Sequence, residues 1–293
     1  LTSREQFLSL GEPPWRMDAF YRKVRQDSGI LMQKGKPLGG KYSHDADNRM
    51  PWKGQPPAPE VPRYPGNWLK AEVEELIQSQ FSRHPGQLDM AAIPATLDEI
   101  EHYWQWAQRE CLPHFGPYED AMSTASSGLF HPRLSPLINL HRLSPRRVLD
   151  DVLQLALPLS CQEGFVRQIL GWREFVRHVH ESTEGFRTLW PETEAPGDGG
   201  WAAWSGQDRQ ARPGGANPNR LEANDPLPPA FWGATSGLAC LDQVVADVWR
   251  EGWSHHITRL MVLGNLATLL GYSPRQLADW FWVAYIDAYD WVV

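Results

Sequence analysis

The chain has 293 residues, 42% of them hydrophobic, a net charge of −7 and three cysteines. That is enough apolar material for one large domain or two smaller ones, and Cys111, Cys161 and Cys240 form no CxxC pair, which excludes a disulfide framework. No run of about 18 apolar residues occurs and no signal-peptide pattern opens the chain, so it reads as soluble, intracellular and cytoplasmic, while the acidic balance argues against nonspecific coating of nucleic acid but allows a local basic groove.

The chain starts at Leu1 rather than Met and stops on the apolar stretch Tyr289-Asp290-Trp291-Val292-Val293, so both ends read as cut. Fifteen tryptophans are present. A buried indole needs a partner for its N–H, so this density points to aromatic stacking, a chromophore pocket or an electron relay, unless it serves a large aromatic core.

In chain order, Met17 to Met32 has helical periodicity with basic residues on one face, and Ser28-Gly29 is its stop signal. Pro51 to Pro59 is proline-rich and predicts an extended linker, with a boundary near Pro62. Beyond it nearly everything reads as helix. Thr96 and Glu99 have capping-box spacing, and Ser144-Pro145 and Ser273-Pro274 each supply an N-cap followed by a first-turn proline. Trp190 to Pro229 is rich in Gly, Pro, Asn and Ala and predicts a surface loop or insertion.

Three stretches carry candidate chemistry. Tyr118 to Met122, followed by Leu129 to Leu140, feeds a Ser135-Pro136 helix start whose N–H groups and hydroxyl suit a phosphate, although such starts are commonly structural alone. In Glu163 to His178, Arg173 and Arg177 share a helix face beside Trp172, which suits a DNA phosphate and a stacked base, or equally a solvated face laced with ion pairs. Trp253 to Asn265 holds the pair His255-His256. Adjacent histidines on a helix diverge by about 100°, a poor chelate, which sets metal aside there. The third stretch continues through Asp279 to Trp282 and Tyr285 to Trp291.

These stretches, in this order, resemble the photolyase and cryptochrome superfamily, most closely its bacterial iron-sulfur branch of deoxyribodipyrimidine photolyase-related proteins. The resemblance runs from about Phe20 to Val293. It includes Gly29 to Met32, Lys36 to Lys41, Asp45 to Arg49, Arg167 to Glu174, His255 to Met261 and Tyr285 to Val292. It implies a mainly α fold: a helical FAD-binding domain over 63–293, preceded over 1–62 by the last helix and linker of an α/β antenna domain. A lumazine-type antenna chromophore would belong to the remainder of that domain.

The resemblance also implies roles. His131, Leu134 and Ser135, with Tyr118 nearby, would cradle the flavin diphosphate, except that Pro132 replaces a common serine and removes a hydroxyl and an N–H. Arg259 and Asp287 would pair under the flavin ring, where a fixed ion pair stabilises reduced, anionic flavin, with Asn265, Ala288 and Tyr289 among the cofactor contacts. His256 would donate a proton to a (6-4) photoproduct. Gln168, Trp172 and Arg173 would meet a lesion flipped out of damaged DNA, with Arg177 on the same DNA-binding face. Trp232 and Trp280 match the branch's tryptophan relay, followed by Phe281. Cys240 matches the first of four ligands of a 4Fe-4S cluster, the other three falling beyond Val293. The expected activity is blue-light-driven repair of UV-damaged DNA by a monomer, with a photoreceptor that repairs nothing, or a flavin-free helical scaffold, left open.

Overall fold

The computed structural model describes residues 1–186 and 221–289, whose regular secondary structure is almost entirely helical. Among the described residues, the strands are the two-residue pairs Met32–Gln33 and Lys36–Pro37, antiparallel to each other. Most of the predicted loop over 190–229 lies outside the described residues.

Local chemistry starts and stops the helices as the sequence predicts. The helix Met17–Ser28 ends at Gly29, which takes φ 74° and donates its N–H to the Arg25 carbonyl; a residue without Cβ adopts that left-handed turn at little cost. The helix Leu97–Trp106 opens on a full capping box between Thr96 and Glu99. The Ser273 hydroxyl caps Pro274–Ala284 by accepting from the Gln276 N–H. Ser144 precedes Pro145–Gln154 as expected, but its side chain makes no capping bond.

The long helices are interrupted by wider, π-type turns at Ala107–Cys111, Arg167–Arg173 and Thr258–Gly264. Such a turn inserts a residue and redirects the side chains around it, a feature common at functional sites. Here Arg167–Arg173 carries Gln168, Trp172 and Arg173, and Thr258–Gly264 carries Arg259.

Apolar residues collect into two main cores. In the first, Phe7, Phe20, Tyr21 and Val24 of the N-terminal helices pack with Trp104, Leu112, Leu149 and Val166. The second gathers Phe231, Leu241, Val245, Val248, Leu263 and Trp280. A small third cluster of Ala121, Leu129 and Phe130 takes Trp52, Ala58 and Tyr118 against it, so the proline-rich stretch is packed down on the loop that holds these residues. The Trp52 indole donates to the Pro56 carbonyl at 2.8 Å and the Tyr118 hydroxyl to the Gln55 carbonyl at 3.1 Å.

Within the first core, Gly116 lets two helices touch. A Cβ on it would stand 2.8 Å from the Cys161 nitrogen and 2.8 Å from the Ser160 carbonyl carbon. Backbone cannot yield as a flexible side chain does. Gly116→Ala is therefore expected to lower stability by about 1–3 kcal/mol, measured by urea denaturation.

Candidate functional site

The seam between the two cores is crossed by polar side chains. Asp287, 1% exposed, accepts from Arg259 Nη2 at 3.0 and 2.9 Å and from the Ser135 hydroxyl at 2.5 Å. The Asp287 carbonyl takes a further bond from Asn139 Nδ2 at 3.4 Å. Arg259 is held on its other sides: its Nε donates to the Ser254 carbonyl at 2.8 Å, and its guanidinium lies 4.3 Å from the centre of the Tyr285 ring. The Tyr285 and Ser254 hydroxyls pair at 2.8 Å. Charge, hydrogen bonds and a cation–π contact thus hold one arginine from several sides.

One turn before Arg259, the ring of His255 stacks on His131, with centroids 4.6 Å apart and planes 13° from parallel. His131 Nε2 faces the Glu119 carbonyl at 2.9 Å, so that nitrogen carries the proton. Burial pushes the His131 pKa down to about 4 and the His255 pKa well below its ordinary value. Both rings are neutral at physiological pH. His255 Nδ1 is buried with no hydrogen-bond partner among the described residues.

Glu119 joins this histidine pair to the Arg167–Arg173 turn. Its carboxylate accepts from Gln168 Nε2 at 2.5 Å, Asn48 Nδ2 at 3.1 Å and Arg167 Nη2 at 3.3 Å. Glu163 stands behind, accepting from the Tyr21 hydroxyl at 3.1 Å and the His44 N–H at 2.8 Å. Burial holds the Glu119 pKa up at about 7, although Arg167 and Asn48 pull it down.

Residues 1–92 match the family model of deoxyribodipyrimidine photo-lyase-related protein. The chain is 29% identical over 286 residues, 96% of its length, to a protein named (6-4) photolyase from Agrobacterium fabrum. The chain is thus similar to photolyase-related proteins. It is also 35% identical over 68 residues, 22% of its length, to an uncharacterized protein of Acanthamoeba polyphaga mimivirus. The chain spans about half the length of these relatives, 51% and 52% respectively.

The structure brings several of the sequence-expected residues together. Arg259, Asp287 and Ser135 form one cluster, and His131 and Gln168 meet through Glu119. Leu134 is buried in the first core, Ala288 packs on the second, Tyr289 is half-buried and the Tyr118 ring lies against Phe130, tilted by 30° with centroids 5.2 Å apart. Asn265 is exposed and makes no bond to this cluster. His256 opens the helix and is exposed, whereas His255 sits before it and is buried, so different backbone conformations separate the two rings. Desolvation of the ring by the neighbouring protein and the charge of Arg259 lower the His256 pKa, with Asp120 opposing.

Trp172 is 45% exposed, and Arg173 is half-buried with its pKa lowered by burial. Arg177 is engaged by Glu174 at 3.1 Å, Glu181 at 2.8 Å and the Thr2 carbonyl at 3.0 Å, the ion-paired face that the sequence left open. Trp280 is buried against Phe231, Trp249, Phe281 and Tyr285, and its indole donates to the Phe231 carbonyl at 2.8 Å. Trp232 is 51% exposed and has no ring contact with Trp280 among the described residues. Trp249 stands in that place. Cys240 is an exposed free thiol, and among the described residues no three His, Cys, Asp or Glu side chains group to hold a metal, so Cys240 does not make a cluster site alone.

Sequence reasoning gave no roles to Glu119, His255, Tyr285 or Trp249. Contacts across the fold decide each of them, and neither spacing nor residue type reveals these. The residues present fit a flavin-like group: the buried, unpartnered His255 Nδ1 calls for a polar edge, and the Arg259–Asp287 pair supplies fixed charge beside it.

Removing the Asp287 carboxylate leaves Arg259 unpaired in the seam. Asp287→Ala is expected to cost about 3 kcal/mol of stability, and Asp279→Ala, at an exposed pair with Arg275, under about 1 kcal/mol, by chemical denaturation of both variants. The Glu119 carboxyl yields a pH test. Its folded pKa, about 7, is raised above the ordinary carboxylate value, so the fold binds the proton more tightly than the unfolded chain and loses stability as pH rises through that window. Thermal melts of wild type should fall between about pH 5 and 7.5 more steeply than those of Glu119→Gln, which has no proton to release there.

Proposed function

We propose that this chain is the flavin-binding helical part of a photolyase-type enzyme that uses blue light to repair UV-damaged DNA, with (6-4) photoproducts the preferred lesion. The observation that carries it is the buried Arg259–Asp287 pair, joined to Ser135 across the seam, in a chain that aligns along almost its whole length with a (6-4) photolyase. In this reading residues 1–62 are the end of an antenna domain with its linker, and 63–293 form the flavin domain. A longer chain would supply the partners of Cys240 in a 4Fe-4S cluster.

FAD, when bound, supplies the light-driven electron. The protein's part is placement and charge. Arg259, fixed from several sides, offsets negative charge that builds beside it, and it needs no reorganisation to do so. Ser135 and Asn139 fix Asp287, which keeps Arg259 from turning away. His256 holds a proton at a ring nitrogen for a bound base, and Asp120 favours that protonated form. Trp172 offers an exposed face for stacking and Arg173 a cation for the DNA backbone. Flipping a damaged base costs least because its stacking is already weakened.

Purified chain is expected to be yellow, to show flavin absorbance, and to restore thymines in a (6-4)-containing oligonucleotide under blue light after photoreduction. Arg259→Leu should release flavin to the filtrate during dialysis. A colourless wild type, or full flavin retention by Arg259→Leu, would remove the central assignment. Because desolvation and Arg259 lower the His256 pKa, the repair rate should decline with rising pH from a point below the ordinary histidine range, and His256→Asn should flatten that limb.

A further inference from the structure

We infer that Glu119 is a positioning residue that fixes the polarity of Gln168, so that the site meets its ligand with the Gln168 carbonyl oxygen and reads a hydrogen-bond donor, the imide N–H of a pyrimidine base. The inference rests on the proposed function for the identity of the ligand.

A glutamine amide has a donor side and an acceptor side, and only its neighbours decide which way each points. An ionised carboxylate accepts and cannot donate. With Glu119 Oε1 2.5 Å away, the nitrogen of Gln168 must turn inward, and its second contact, the Gly164 carbonyl at 3.5 Å, is an acceptor too. Both amide hydrogens are thereby committed to protein acceptors. Gln168 Oε1 takes no hydrogen bond from any described residue, and Gln168 is half-buried, four residues from the exposed Trp172 on the same turn.

Glu119 is itself held. Its Oε2 accepts from Asn48 and Arg167, and Arg167 is kept in place by Asp45 at 3.4 Å and Glu163 at 3.4 Å. Gly164 makes the room: a Cβ there would fall 2.9 Å from Asn48 Nδ2 and 3.2 Å from Glu119 Oε2. The main chain of Glu119 also sets its other neighbour, because its carbonyl accepts from His131 Nε2. One residue therefore orients an amide with its side chain and an imidazole with its backbone.

The device depends on ionisation. Around the Glu119 carboxyl stand Arg167 from the turn, Asp45 from the linker, Asp120 beside it in the chain and Glu163 beyond Arg167, while His131 meets its carbonyl. Burial keeps its pKa near neutrality, at about 7. A protonated carboxyl can donate to the amide oxygen, which lets Gln168 turn over and present its NH2 instead.

The test uses the purified flavin-loaded chain in the dark and two duplex oligonucleotides. One carries a single thymine (6-4) photoproduct, and its twin carries the same lesion methylated at N3 of the saturated 5′ base. At about pH 8 the wild type should bind the N–H lesion about tenfold more tightly, the value of one good hydrogen bond. The preference should shrink to within about twofold in Glu119→Gln, in Gln168→Met and in wild type at about pH 6. Equal binding of both lesions by wild type, or an undiminished preference in Gln168→Met, where only the methyl's bulk is left to act, overturns the inference and leaves the proposed function standing. Full preference in Glu119→Gln overturns it equally. Wild type that does not distinguish either lesion from undamaged duplex overturns both. Should Glu119→Gln fail to fold, Gln168→Met and the pH dependence decide alone.

Discussion

A carboxylate taken out of water must be repaid by nearby donors, and Asp287 obtains them from opposite sides of the molecule. Arg259 reaches it from the second core, and Ser135 and Asn139 reach it from the segment that packs on the first. Helix–helix packing alone would let the cores slide, because apolar contact is not directional. The seam acquires a fixed register from these few bonds. Ser127, Arg133 and Glu251 add a second polar stitch, with Arg133 also lying 4.6 Å over the Trp253 ring.

The same need to satisfy buried polar atoms organises the neighbourhood of the histidines. Two imidazoles in parallel contact cannot both be charged, and burial keeps His131 and His255 neutral. Glu119, whose carbonyl accepts from His131, shares Arg167 with Glu163, and the two carboxylates draw Tyr21, His44 and Asn48 of the N-terminal segment into one network. The N-terminal segment is thus tied to the site by hydrogen bonds as well as by the apolar contacts of Phe20 and Val24. Dense charge of this kind adds less stability than specificity, since each pair offsets its own desolvation.

The irregular turns explain how helices can build such a site. An unbroken α-helix repeats its faces and would send Arg167, Gln168 and Trp172 around the cylinder at regular intervals. The wider turn over Arg167–Arg173 lets Arg167 point into the glutamate network while Trp172 remains exposed. Thr258–Gly264 does the same for Arg259 directly after the extended approach through Trp253 and His255.

Much of the fold was legible along the chain because its determinants are local. Gly29 as a helix stop, the capping box at Thr96 and Glu99, and the Ser273-Pro274 start each depend on residues within one turn. The pairing of Arg259 with Asp287 was legible only through resemblance, since their separation in sequence carries no signal of contact. What the sequence determined by itself was helical content, helix ends and the list of polar residues near the third stretch. Tertiary structure alone decided that His255 rather than His256 is buried, that Trp249 and not Trp232 touches Trp280, and that Glu119 faces Gln168. The physical reason is that burial and polarity belong to pairs of residues brought together from distant segments, and spacing along one segment does not encode its partner.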